Sequence, residues 1–262
     1  MSSLVVLMYH AIENHTQPSG STDLDEIDYI LNSDDFEQQM AYLHANNYQT
    51  VLLSDLQSGK DIAERSLVIT FDDGHKSNCS LALPILARYN FCAEFYVTTD
   101  WIATDNFMSE EQIMTLFQSG MAIGSHGMSH RFLSDLPNNE VKTELKQSKR
   151  RLEEIISEPV HTFAAPGGRI NKSVLNIVRD VGYSMSCSSE ANIYNSDKSS
   201  HMIPRFAIKR NTSMQEFKLI VEQDSAYLRK VIFRVKLLGI AKQLLGNTLY
   251  KRLRETLIRL ER

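Results

Sequence analysis

The sequence predicts an α/β protein built on a mostly parallel sheet, and three observations carry that expectation. Short β-branched or aromatic runs alternate along the chain with amphipathic helical stretches. The spacing between successive runs leaves room for a crossover helix, which parallel strands require. Polar groups of reactive type directly follow four of the runs: Tyr9-His10, Asp72-Asp73, His126 through His130, and Pro166-Gly167-Gly168. In a βα-barrel the C-terminal strand ends converge on one face, and chemistry collects there.

Taken in order, Leu4 to Met8 reads as the first strand, and the polar residues 13–32, with Pro18 and Gly20, as a long loop. Asp34 with Glu37 resembles a capping box opening a helix from Phe36 to Asn46. Strands are expected at Thr50–Leu53, Leu67–Phe71, Ala93–Thr98, Met121–Gly124, His161–Ala164, Tyr183–Cys187 and Arg205–Ile208. Helices are expected at Leu81–Tyr89, at Glu110–Ser119 behind a Ser109/Gln112 cap, at Glu140–Ser157 with the stripe Leu145, Leu152, Ile155, Ile156, and at Val174–Val181.

Composition limits the rest. Of 262 residues, 42% are hydrophobic and 23% charged, which is ordinary for a globular chain with a sizeable core. A net charge of −4 gives no general case for nucleic acid. Three scattered cysteines, none in a C-x-x-C pair, suit a reducing compartment better than a disulfide framework. No run reaches the roughly 20 apolar residues that span a bilayer, and the N-terminus reads as a strand, not as a leader. A cytoplasmic location is the expectation.

The stretch Val68-Ile69-Thr70-Phe71-Asp72-Asp73-Gly74 is the focus. Two adjacent carboxylates end a buried strand, and successive strand residues point opposite ways. Asp72 and Asp73 therefore serve different tasks, one holding a metal and the other handling a proton. The plainer alternative is a simple Asp-Gly turn. His126 and His130 lie four apart, so that on one helical turn both imidazoles would face the same way. Two imidazoles and a carboxylate, with one position left for water, make a catalytic zinc site, and Asp73 is the candidate third ligand.

Those residues carry a resemblance. Thr70-Phe71-Asp72-Asp73-Gly74 and Ser125-His126-x-x-x-His130 resemble the first two motifs of the polysaccharide deacetylase family (NodB-homology, carbohydrate esterase family 4), and Phe163-Ala164-Ala165-Pro166-Gly167-Gly168 is similar to the third. The resemblance spans about residues 4–210. It implies a distorted, incomplete (β/α) barrel and metal-dependent removal of an acyl group, usually acetyl, from an N-acetylated sugar. It assigns the metal to Asp73, His126 and His130, with zinc foremost and cobalt, nickel or manganese as alternatives, and the general base to Asp72. The family's Leu-x-His acid is missing. Met8-Tyr9-His10 resembles the Tyr-His of the exopolysaccharide deacetylase branch, which makes His10 the acid; otherwise it is a loop histidine.

The third motif departs from the family pattern, with Ala164 where an arginine is frequent and Gly167 where an aromatic is. Arg205 is the first candidate to orient Asp72, Arg169 the second; both could instead be surface arginines. The backbone N–H of Gly167 could still serve an oxyanion, and loss of the aromatic implies a more open sugar site. Trp101 could stack on a sugar ring or line the rim. An inert carbohydrate-binding module, or an amidohydrolase acting on a small non-sugar amide, are the alternative functions.

The barrel domain is expected over residues 1–222 and a basic amphipathic helical extension over 223–262. Residues 222–262 carry net +6, leaving −10 on the remainder. From residue 227 to 262 Leu, Ile and Val interleave with Lys and Arg, fitting helices that lie on an anionic membrane surface or pack over the barrel.

Overall fold

A computed structural model describes residues 3–58, 62–195 and 202–235. The elements run β1 (Ser3–Tyr9), β2 (Ala11–Glu13), α1 (Leu24–Ile27), β3 (Ile30–Asn32), α2 (Ser33–Ala45), β4 (Gln49–Thr50), α3 (Leu53–Gln57), β5 (Ser66–Phe71), a π-turn (Asn78–Ala82) and α4 (Leu83–Arg88). They continue with β6 (Glu94–Val97), α5 (Glu110–Gln118), β7 (Ala122–Ser125), α6 (Asn138–Ile156), β8 (Thr162–Ala164), α7 (Lys172–Val181), β9 (Met185–Cys187), β10 (Tyr194–Asn195), β11 (Met202–Ile203), β12 (Phe206–Ala207) and α8 (Met214–Val221). Residues 225–235 form a further helix, and residues 236–262, most of the expected basic extension, lie outside the described residues. No described helix is long and apolar enough to cross a membrane.

The main sheet runs β1-β5-β6-β7-β8-β9-β11, every neighbour parallel. Its two edges are joined by one short stretch of chain. β11 pairs with β9, and after Pro204-Arg205 the same stretch, as β12, pairs with β1 (Leu7↔Phe206, Met8↔Ala207). Ile208 N–H continues that ladder to the Met8 carbonyl at 2.9 Å. The sheet is thus a nearly closed barrel with helices outside it, as the alternating pattern predicts.

Side-chain parity divides each stave. On β1 and β5, Leu4, Val6 and Val68 face a small interior cluster with Tyr96, Ala164, Met185, Cys187 and Ile203. Val5, Leu7, Tyr9, Leu67, Ile69 and Phe71 face the helical layer with Phe36, Met40, Leu43 and Leu86. Extending the period-two alternation, Thr70 and Asp72 share the inward parity of Val68. Asp72 enters the barrel for that reason, while its neighbour does not.

Several expectations need correction. The supposed loop 13–32 holds α1 and β3, and β3 pairs in parallel with β2 to form a separate two-stranded sheet. Three-residue runs are too short for periodicity to reveal. The cap of α2 is Asn32, whose side chain accepts from Asp34 N–H, so the Asp34/Glu37 box is not used. The strand expected at Thr50–Leu53 stops at Thr50, and Leu53 opens α3 with its N–H on the buried Glu94 carboxylate, 2.6 Å away. The box at Ser109/Gln112 forms as expected.

Candidate active site

The site lies in a cleft of about 530 Å³ at the C-terminal ends of the staves, within the usual size for small-molecule pockets. His10, Asp72, Asp73, Trp101, His126, His130 and Gly167 all line it. Seven residues chosen from sequence thus meet in one cavity.

Asp73 follows Asp72 with φ +75°, and His130 has φ +60°. Left-handed backbone is uncommon for either residue type and clusters at functional sites. The turn aims Asp73 out of the barrel toward both imidazoles: His126 Nε2 and His130 Nε2 each lie 3.3 Å from Asp73 Oδ1. The expected helical turn carrying the two histidines is absent. Residues 126–130 form a loop, with Gly127 at φ +84°, and loop curvature rather than helical spacing brings the rings together, 5.1 Å between centroids.

The tautomer of His126 tests whether these donors suit a cation. Its Nδ1 lies 2.9 Å from the Ala164 carbonyl. A carbonyl can only accept, so Nδ1 carries a proton, and in the neutral ring Nε2 presents a lone pair to Asp73 Oδ1. That oxygen is buried and has no hydrogen-bond partner. With the ring neutral, acceptors converging in this way leave a place for a cation between them. Their 3.3 Å spacing matches the edge, roughly 3.3–3.4 Å, of a tetrahedron with bonds near 2.0–2.1 Å. The Asp73, His126 and His130 set fits a divalent metal.

Glu144 on α6, 1% exposed, was not foreseen from sequence. Its carboxylate accepts from the N–H groups of Met128 and Ser129, each at 2.9 Å, and from Ser129 Oγ, and it pairs with Arg131. It fixes the loop that carries His130. A lone acid among Val141, Leu145, Ser148 and Leu152 on a buried stripe was the available clue. Trp101 lies against the His130 imidazole, with ring centroids 4.7 Å apart.

Asp72 is held differently. Arg205, 1% exposed, meets it with two parallel bonds, Nη1 to Oδ1 and Nη2 to Oδ2, both 2.7 Å. The guanidinium also donates to Ser188 O (2.9 Å) and Thr70 Oγ1 (3.0 Å). Burial pushes the Asp72 carboxyl up, but Arg205, with His126 and His10, outweighs it and holds the group below the ordinary range. Burial likewise works against Asp73, yet its contacts with His126 and His130 take it well below normal. His126 is depressed by burial and raised further by Asp72 and Asp73, with a net upward shift. Arg169, the second candidate to orient Asp72, is engaged elsewhere, 3.6 Å from Asp135 and over the Phe132 ring at 4.1 Å.

His10 sits at the end of β1, its ring 4.5 Å from that of Tyr29, and its Nδ1 is buried without a partner. Burial lowers its pKa, partly offset by Asp73 and Asp72. Gly167 and Gly168 take φ +61° and +66°. A Cβ on Gly167 would lie 2.6 Å from Phe132 Cε1. The expected opening of the site is therefore not found, because Phe132, from the loop after β7, fills the space above the glycine.

A nearly closed parallel barrel with an acid–imidazole cluster at its C-terminal mouth places the chain among α/β barrels built for hydrolytic or binding chemistry. The family model for polysaccharide deacetylase matches residues 59–186. The Bacillus subtilis protein YxkH, provisionally named a polysaccharide deacetylase, is 27% identical over 225 residues, 84% of this chain and 77% of that one. The poly-β-1,6-N-acetyl-D-glucosamine N-deacetylase of Escherichia coli K12 is 23% identical over 72% of this chain, a match spanning only 35% of that enzyme. The Streptococcus pyogenes deacetylase PplD, solved with acetate, shares the fold with a TM-score of 0.74 at 24% identity, covering 84% of this chain and 98% of that one. The chain is thus similar to the polysaccharide deacetylase family, through the segment 59–186 and through relatives that carry the family's name over most of its length.

Proposed function

We propose that the chain is a metal-dependent hydrolase that removes an N-acyl group, acetyl in the first instance, from an amino sugar in a polysaccharide, oligosaccharide or lipid-linked glycan. The activities named for family relatives support this class of substrate. The observation that carries the reading is the separation of the two adjacent carboxylates. Asp73 joins the imidazoles, while Asp72 is held off them, ionised, by Arg205. A module that only bound glycan would need no such second carboxylate.

A divalent ion at Asp73, His126 and His130, zinc foremost, would lower the pKa of water and polarise the amide carbonyl. The chain's own residues supply the proton traffic. Asp72 takes a proton from the attacking water. Arg205 keeps it anionic and fixes its angle, at some cost in basicity. As the new C–O bond forms and the C–N bond breaks, the departing amine takes its proton from His10, whose ring Tyr29 holds in place. Gly167 N–H serves the developing oxyanion, and Trp101 and Phe132 present ring faces to the sugar.

The test is acetate release from N-acetylglucosamine oligomers by chelator-treated protein reloaded with zinc or cobalt, alongside Asp72→Asn. The variant should lose at least about 100-fold, the usual size of a general-base contribution. Absence of acetate with every metal, or equal rates for the two proteins, would end the proposal.

A further inference from the structure

The helix over residues 225–235 is seated at one end only. Leu228 is buried in the core, Val231 and Ile232 are half-buried, and beyond them Phe233 is 69% and Val235 36% exposed. Phe233 is the most exposed large apolar side chain among the described residues. Arg229 and Lys230, a turn earlier, and Arg234 beside it are all exposed. From Ser225 to Arg254 the sequence has eight Lys or Arg and no Asp or Glu, interleaved with Leu237, Leu238, Ile240, Leu244 and Leu245.

A large exposed ring beside unpaired basic charge is poor design for a solvated face. The same patch on a second copy offers a poor cover, because patch against patch would bring like charges together. An anionic lipid surface satisfies both features, taking the apolar side chains into its interface and the cations to its phosphates. We propose that the Phe233 end of this helix docks the protein on an anionic phospholipid bilayer. Docking of this kind is independent of the hydrolytic reading.

The full-length chain would be sedimented with vesicles of phosphatidylcholine alone or mixed with phosphatidylglycerol, at roughly 0.1 M and 1 M salt, where the screening length falls from about 10 to 3 Å. Binding is expected only to the mixed vesicles and should weaken at high salt. The triple variant Arg229→Glu/Lys230→Glu/Arg234→Glu should lose roughly 100-fold in affinity, at about fivefold per cation. Phe233→Ser should weaken binding without changing its salt slope. All four positions are exposed, so an unchanged melting temperature shows that the fold is intact. The inference is overturned by no binding to the mixed vesicles, by equal binding to neutral ones, or by wild-type affinity in the triple variant. It is equally overturned by a lipid-free dimer that Phe233→Ser dissociates, which would assign the patch to a second copy.

Discussion

Arg205→Met removes a guanidinium that is 1% exposed and leaves Asp72, 3% exposed, charged and alone. Breaking a buried pair from one side costs about 3–5 kcal/mol. For a domain of this size each kcal/mol moves Tm by about 2–4 °C, so the variant should melt about 6–20 °C lower. Replacing both partners in Arg205→Met/Asp72→Leu removes the stranded charge. What remains is mainly the unbonded Ser188 carbonyl, a penalty of about 1–3 kcal/mol. The double variant should therefore be more stable than Arg205→Met, although it carries one more substitution, with a coupling energy of at least about 3 kcal/mol.

The pH dependence gives an independent sign. In the native protein Arg205 holds the Asp72 carboxyl below its ordinary value. The stability this contributes is present above the unfolded pKa of about 3.9 and is lost as pH falls through the folded value. In Arg205→Met burial is opposed only by His126 and His10 and the folded pKa rises, so protonation stabilises that fold as pH falls. The gap between the two proteins should narrow from pH 7 toward pH 4. Calorimetric melts of the metal-free proteins across that range decide the matter. A double variant costing the sum of the singles, or a gap that widens in acid, would refute the pairing.

Asp73→Asn should lower zinc affinity by at least about 100-fold, since loss of a ligand should exceed the 10–100-fold typical of a ligand's supporting partners; titration calorimetry against wild-type protein checks this. Glu144→Gln should fall inside that 10–100-fold range while retaining most of its thermal stability; wild-type affinity would show that the 126–130 loop needs no such anchor. Phe132→Ala should raise KM for an N-acetylated oligosaccharide about 2–10-fold and spare kcat, the worth of one aromatic contact; a fall in kcat alone would contradict a binding role. Cys187 is buried, with its thiol pushed up to about 12 by burial, so a disulfide reagent should label Cys79 and Cys92 in the native protein and reach Cys187 only on unfolding.

Much of the barrel was legible because its staves are β-branched runs of ordinary length, and because reactive residues at their ends mark a common face. Asp72 and Asp73 could be separated from the two-residue strand period alone. The two histidines do come together, though not for the reason the spacing suggests: a spacing of four points to a helix, while Gly127 and a left-handed His130 make a loop. β3 was hidden by its length. Arg205 lies 133 residues from the carboxylate it holds, and no local pattern links them. Its candidacy arose only from the arginine missing at Ala164. Glu144 was hidden because an acid on a helix normally reads as solvent-facing.

The stretch from Met202 to Ala207 seals the seam between the first and last staves, and the cation that holds Asp72 sits in its middle. A nascent chain emerging from the ribosome would carry both aspartates, both imidazoles and most of the sheet long before that residue arrives. Until then one acid would sit uncompensated in the lumen, opposing premature compaction. Compensation of that acid and completion of the cylinder therefore arrive with the same side chain, and products halted short of it should be easily degraded.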